Sequence, residues 1–299
     1  MAVVELSEIH EANVRYHDLA AAHYDAKWGI SFGELGQDQV TGKLAKALGT
    51  WPGRYPGGLE IGAGTGYFGL NLMRAGVIDE LAAVDISPGM LSQLERSAER
   101  LGLRAECAVC EAGSLPFPDD SFDLVFGHAV LHHLPDLECC LREFRRVLAP
   151  GGALAFCGEP SAYGDRLVSW PKRAAFRVAP LWRAAVRAGA RAERATEEHE
   201  EALLEQVVDV HAFTPAALDQ AARSAGFSKV RVSGEELAAS LFGWINRTLE
   251  GSAEPAEVPW LWRQYAHRGY LALQALDRAM LEPRLPPALF YNLLVSARA

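Results

Sequence analysis

The feature that most restricts the fold of this chain is an alternation. Short apolar runs bounded by turn residues occur at Leu59–Gly62, Leu81–Asp85, Ala105–Cys110, Phe122–Gly127 and Ala153–Cys157, and segments with apolar residues at helical spacing separate them. Continuous short runs suit strands covered on both faces, and an intervening helix returns the chain across the sheet. The pattern predicts a parallel sheet wound by helices. Two helical stretches, Ile9–Trp28 and Gln37–Leu48, precede it, and the Gly- and Pro-rich stretch Trp51–Gly58 closes that lead-in.

The rhythm then breaks. Ser161–Val210 is helical in composition, basic in its first half and acidic at Glu193–Glu205, and reads as an inserted helical cover. Thr214-Pro215 opens a further helix that stops at Gly226, and Lys229–Val232 resumes the sheet. A second helical insert spans about Glu235 to Leu281, and the tail Leu289–Ser296 is apolar, aromatic and β-branched like a last strand. The expected organisation is N-terminal helices (1–52), an α/β core (53–160), a helical insert (161–212), a core helix and strand (213–234), a second insert (235–285) and a final strand (286–299).

At 299 residues with 49% hydrophobic composition the chain can bury a full core. Its net charge of -9 argues against a nucleic-acid partner, which would need a local basic patch. Met1–His10 lacks the basic start and apolar run of a secretion signal, and no stretch reaches about 18 uninterrupted apolar residues, so a cytoplasmic location is expected. Of five cysteines, Cys107 and Cys110 form a lone CxxC in a strand-like run; buried thiols are expected there, and no bound metal.

Chemistry enters at Leu59-Glu60-Ile61-Gly62-Ala63-Gly64-Thr65-Gly66, where a strand turns into a helix and glycine lets the backbone approach a ligand. The loop holds a GxGxxG frame, Gly64 to Gly69, so a nicotinamide or flavin dinucleotide is one reading. Charge opposes it. Glu60 precedes the first glycine, where a carboxylate repels a pyrophosphate but welcomes a cation. Asp85 ends the next strand, where a carboxylate can accept both hydroxyls of a ribose, and this fits either ligand.

Five segments in this order, EIGAGTG (Glu60–Gly66), AVDISPGML (Ala83–Leu91), SLPFPDDSFDLV (Ser114–Val125), VLHHLPD (Val130–Asp136) and RVLAPGGAL (Arg146–Leu154), resemble the class I S-adenosylmethionine-dependent methyltransferases. The resemblance is to their small-molecule branch, which includes ubiquinone and menaquinone methyltransferases. It implies a Rossmann-like, seven-stranded, mostly parallel sheet with an antiparallel last strand, helices on both faces and helical lid inserts. It also implies S-adenosylmethionine as cofactor. Gly62, Gly64 and Gly66 would pack against its amino-acid portion, Glu60 would hold its ammonium side, and Asp85, followed by Ile86, would take the ribose. Met90 would lie along the adenine, and Glu111 and Ala112 would receive the adenine amino group, although many relatives carry Asp where Glu111 stands. His128 would line the methionine side, and Tyr16 and Tyr24 resemble aromatic positions that close over the cofactor.

Methyl transfer from a sulfonium is an in-line displacement, so alignment and exclusion of water come first and a base is needed only for some acceptors. His132 and His133, at the carboxyl edge of the sheet, are the candidate bases, and Glu159, beyond the fifth strand, is placed to orient or assist one of them. Structural duty is the competing reading, because one histidine can cap the loop before Pro135, and His211 reads as structural. The expected acceptor is an oxygen or carbon of a small hydrophobic or aromatic molecule. Arg166–Arg194 interleaves seven Lys or Arg residues with Leu167, Trp170, Phe176, Leu181 and Trp182 before any acid at Glu193; a lid with a solvated basic face is the first reading and contact with an anionic membrane the second. A binding protein that keeps the cofactor fold without catalysis, and a dinucleotide oxidoreductase, are the alternatives to an enzyme of this class.

Overall fold

The computed structural model describes residues 6–25, 29–191, 204 and 211–299. The acidic run Glu197–Glu205, apart from the backbone at 204, lies outside the described residues. In chain order the elements are α1 (Leu6–Ala20), α2 (Glu34–Leu48), β1 (Tyr55–Ile61), α3 (Tyr67–Arg74), β2 (Ile78–Asp85), α4 (Pro88–Leu101), β3 (Ala105–Val109), β4 (Phe122–His128), α5 (Leu137–Val147), β5 (Leu148–Pro160), α6 (Ala162–Val186), α7 (Pro215–Ser224), β6 (Ser228–Glu235), α8 (Ala238–Gly251), α9 (Trp260–Leu276) and β7 (Asn292–Arg298). The chain divides into two compact units, Met1–Glu159 with Glu200–Val232 and Leu294–Ala299, and Pro160–His199 with Ser233–Leu293.

The sheet has the order β3-β2-β1-β4-β5-β7-β6. β1 pairs in parallel with β2 and β4, β2 with β3, and β4 with β5. Gly152 O accepts from Ala299 N at 3.0 Å while Ser161 N donates to Tyr291 O at 2.9 Å, so β7 runs antiparallel to β5. Strand order reverses between β1 and β4, and the connections after these two strands diverge, which opens a crevice at their carboxyl ends.

Local signals account for the elements that flank this crevice. Ser87 Oγ accepts from Met90 N at 3.0 Å with Pro88 in the first turn, which starts α4, and Gly102 in the left-handed region (φ 68°) ends it. Asp136 starts α5 by accepting from Cys139 N at 2.9 Å. Beneath them Leu44, Phe68, Leu81, Leu94 and Phe126 form one buried cluster. β1 begins at Tyr55, earlier than its apolar run, because Tyr55 N donates to Val77 O at 2.8 Å and Gly57 N to Asp123 at 2.9 Å. The Gly-Pro stretch therefore does not end the lead-in at Gly58 as its composition predicts. Helix α1 ends at Ala20, a turn follows at 21–23 and the chain is helical again at 24–25, while 26–28, the end of the stretch expected to be helical, lie outside the described residues.

Among the described residues the second unit holds α6, α8 and α9, strand ends and an isolated antiparallel bridge between Ala190 and Ala253. Ala175 and Ala179 of α6 pack with Leu249 of α8, and Trp182 stacks edge-on against Trp262 of α9 at 5.1 Å. Lys172 Nζ lies 3.5 Å over the Trp244 ring. Asp277, fully buried, caps α8: its carboxylate accepts from Ala238 N at 2.9 Å and Ala239 N at 2.8 Å. No described helix is long and apolar enough to cross a membrane.

Asp277→Ala leaves two buried amides without acceptors and is expected to cost about 2–3 kcal/mol, with Asp277→Asn, which keeps one carbonyl oxygen, near half of that; urea unfolding of the variants measures it.

Candidate active site

β1 ends at Ile61 and the chain turns through Gly62, Gly64 and Gly66, all with positive φ (62°, 53° and 85°). A Cβ on Gly62 would sit 2.3 Å from Val130 Cγ2, so the turn can lie against the end of β4 only with glycine. A Cβ on Gly64 would meet nothing within 4 Å; it would project into open space at the strand ends. Gly64 N donates to Asp85 Oδ2 at 2.8 Å, and Ser87 N donates to Asp85 Oδ1 at 2.9 Å. Each carboxylate oxygen keeps a further lone pair, so Asp85 ties the loop to the end of β2 without exhausting its capacity to accept.

A cavity of about 90 Å³ opens at this edge. Of the residues singled out from sequence, Tyr24, Gly62, Gly64, Asp85, Ile86, Met90, Ala112, His128 and His133 line it. Asn13 and His17 of α1, with Cys110, also line it and were not foreseen. Among the described residues neither Lys nor Arg lines it, and the carboxylate of Asp85 does. Typical small-molecule sites are roughly 300 Å³ or more, so the cavity is smaller than a nucleoside-sized ligand requires.

The other sequence-singled residues sit around the cavity rather than on it. Glu60 is buried with Oε2 accepting from Gly69 N at 3.0 Å, and a Cβ on Gly69 would lie 2.3 Å from that oxygen. Burial pushes the Glu60 carboxyl well above its ordinary value; the Gly69 amide opposes the shift and the charge of Asp85 adds to it. Gly66 starts α3 over Leu70 and Leu94. Glu111 is exposed beside His10, 3.3 Å away. Tyr16 is buried edge-on to His17, at 5.0 Å. Burial, then the charges of Asp85 and Asp25, push Tyr24 up to about 12, so its hydroxyl stays protonated and can donate.

The two adjacent histidines part company in the short turn after β4. His132 is buried and its Nδ1 lies 2.9 Å from Glu159 Oε2, while the same carboxylate accepts from the amides of Val130 (3.0 Å), Leu131 (3.1 Å) and His132 (3.1 Å). Glu159 therefore holds the turn in shape through its backbone. His133 reaches the cavity, its ring tilted against that of His132 at 4.0 Å and edge-on to His17 at 5.5 Å. His128 stacks on Phe68 at 5.6 Å, and a Cβ on Gly158 would come 2.9 Å from its Nε2. His211 bonds the backbone of His132 and Leu134, at 3.2 Å and 3.0 Å.

The turn at Leu115–Asp119 is stapled by Arg146, whose guanidinium donates to Phe117 O at 2.8 Å and Leu115 O at 3.2 Å, while Glu143 accepts from Leu115 N at 2.8 Å. Two segments recognised separately in the sequence thus form one structural unit that fixes the chain beside Ala112. Cys107 and Cys110 are half-buried rather than buried, and burial pushes both thiols up to about 11, so they stay protonated near neutrality. The described residues contain no group of three or more His, Cys, Asp or Glu side chains able to hold a metal ion.

A family profile described as a methyltransferase domain matches residues 59–156, the segment that builds the cavity's glycine loop and both histidines. The chain is similar to malonyl-(acyl-carrier protein) O-methyltransferase of Methylococcus capsulatus, 32% identical over 222 residues covering 73% of this chain and 66% of that protein. It is 45% identical over 98 residues to the protein of that name from Halorhodospira halophila, with 33% of each chain covered, and 37% identical over 102 residues to demethylmenaquinone methyltransferase of Thermus thermophilus, covering 34% and 46%. The chain thus spans a third to two thirds of the length of these relatives. Among solved structures, phosphoethanolamine N-methyltransferase 2 of Haemonchus contortus, in complex with S-adenosyl-L-methionine, superposes with a TM-score of 0.58 at 16% identity over 99% of this chain and 60% of that one, a likeness of fold. With the glycine loop, the strand-end carboxylate and the sheet order in agreement, the chain belongs to the class I S-adenosylmethionine-dependent methyltransferases.

Proposed function

We propose that the chain binds S-adenosylmethionine in the cavity at the ends of β1, β2 and β4 and transfers its methyl group to a small hydrophobic or aromatic molecule. One observation carries the reading: the cavity combines an open Gly64 position with the carboxylate of Asp85, and no Lys or Arg is found on its wall among the described residues. Such a wall suits a ligand bearing cations and no phosphate and would repel the pyrophosphate of a dinucleotide. When bound, the cofactor supplies an electrophilic methyl carbon on a sulfonium.

The protein's own residues then have distinct duties. Asp85 accepts the ribose hydroxyls through lone pairs that Gly64 and Ser87 leave available. Ile86, Met90 and Ala112 form an apolar slot for the adenine, and Gly62 and Gly64 let the backbone approach the amino-acid portion. Burial raises the Glu60 carboxyl, and a cationic ammonium group brought close would favour its ionised form. His133, which reaches the cavity, takes the acceptor's proton; His132 and Glu159 are positioning residues that fix the turn from which His133 projects. The likeness to malonyl-(acyl-carrier protein) O-methyltransferase extends beyond the core and supports oxygen as the accepting atom.

Calorimetric titration with S-adenosylhomocysteine, with NADH as control, tests the site. Binding of the first and not the second is expected, and Asp85→Ala, which forfeits two charge-assisted hydrogen bonds, weakens it by at least about tenfold. Unchanged affinity in Asp85→Ala or Gly64→Ala would sink the assignment.

The raised Glu60 value gives a pH signature. A carboxyl with a folded value above its ordinary 4.5 contributes stability that is complete below that pH and is lost as pH rises through the folded value. Glu60→Gln is expected to flatten this decline in the ligand-free protein and to remove the accompanying tightening of adenosylhomocysteine binding with rising pH; urea denaturation and calorimetry across pH read the two effects.

For an ionisable acceptor found by screening, His133→Gln lowers kcat by roughly 10²-fold or more with cofactor affinity unchanged. An equal loss of cofactor affinity would assign His133 to binding instead.

A further inference from the structure

In the second unit, α6 buries Gly164, Val168, Ala175 and Ala179 on its inner side. Its outer side carries Tyr163, Leu167, Trp170, Ala174, Val178, Leu181 and Ala185, all exposed. These follow one another by four, three, four, four, three and four residues, the period that stacks side chains into one stripe along a helix. The stripe is about 33 Å long at 1.5 Å per residue. It is not a scatter of single apolar residues: Trp170 and Leu181 are each 75% exposed.

A cationic ridge flanks the stripe. Arg166, Arg173 and Arg177 lie along one edge, all exposed, and no described carboxylate pairs with any of them. The one acid of the helix, Asp165, falls away from the stripe. Lys172 and Arg183 point elsewhere, to the Trp244 ring and to Ser252 O (3.2 Å). The ridge stands on a chain of net charge -9, yet a surface charge senses its surroundings over only about 8–10 Å at physiological salt. Among the described residues this face is locally basic.

From these features we infer that the outer face of α6 docks on an anionic lipid bilayer surface. The helix lies in the interfacial plane with Leu167, Val178 and Leu181 in the acyl boundary. Tyr163 and Trp170 sit at headgroup depth, where amphipathic rings are favoured. Arg166, Arg173 and Arg177 meet lipid phosphates while their stems cover apolar surface. A second copy of the chain is a poorer occupant, since antiparallel pairing of two such stripes about a twofold axis sets one arginine ridge against the other. This inference uses no residue of the cavity and stands apart from the methyl-transfer reading.

Co-sedimentation of the full chain with vesicles tests it. Binding to phosphatidylcholine–phosphatidylglycerol vesicles and not to phosphatidylcholine alone is expected, reversed by high salt. The exposed double substitution Trp170→Ser with Leu181→Ser, and separately Arg166→Gln with Arg173→Gln and Arg177→Gln, each weaken binding by more than about tenfold, with circular dichroism and adenosylhomocysteine affinity unchanged. No sedimentation with anionic vesicles, or sedimentation that both variants retain, overturns the inference. So does a dimer in analytical ultracentrifugation that the stripe variant dissociates, which would give the face to self-association.

Discussion

The carboxylate of Asp85 joins three backbone segments on which the candidate site depends. It receives the Gly64 amide from the loop after β1 and the Ser87 amide from the start of α4, at 2.8 Å and 2.9 Å. Both segments would otherwise present unpaired donors at a sheet edge. Glu159 does the same for the turn after β4, accepting three consecutive amides and the His132 ring. Two buried or nearly buried carboxylates thus hold the rim, with little conformational freedom left in the loops of the candidate site. Charge-assisted bonds of this kind are roughly twice as strong as neutral ones, which suits them to fixing loops whose own apolar contacts are few.

A third carboxyl lies behind this rim. Burial raises Glu60 well above its ordinary value, the Gly69 amide opposes the shift, and the charge of Asp85 adds to it. A ligand that brings positive charge would favour the ionised carboxyl, whereas a phosphate would oppose it. The same logic bears on the GxGxxG frame. Its last glycine, Gly69, is small because the Glu60 carboxylate packs 2.3 Å from where a Cβ would be, a demand of strand-to-helix packing rather than of pyrophosphate binding.

Much of this was legible in the sequence because it is local. The strand-to-helix glycine turn, the acid at the end of β2 and the helix start at Thr214 involve residues only a few positions apart. The alternation of short apolar runs with helices sets a parallel sheet before any long-range contact is known. What escaped involves either direction or distance. His132 and His133 are neighbours, yet one faces Glu159 and the other the cavity; the sequence names both and distinguishes neither. Asn13 and His17 reach the cavity from α1, far away in the chain, and Glu60 lies under the loop it was expected to edge. Tyr55 and Gly57 extend β1 through bonds to Val77 and Asp123 that no local pattern announces.

The two helical stretches read as inserts differ from the core in the kind of information they carry. Core positions such as Gly62 and Gly127 are fixed by contact: a single added carbon on either would fall within 3 Å of a neighbour. Outer positions of α6 face no such neighbour, and composition there is free to follow what lies outside the fold. A random solvated face would mix acids with its bases, because mixed charge lowers self-repulsion and aids solubility. Instead, the outer face of α6 holds three arginines and an uninterrupted apolar row. Exposed Trp170 and Leu181 lower solubility without adding to the core, so their presence in register with a cationic ridge is better explained by a surface they meet than by the packing of the chain that bears them.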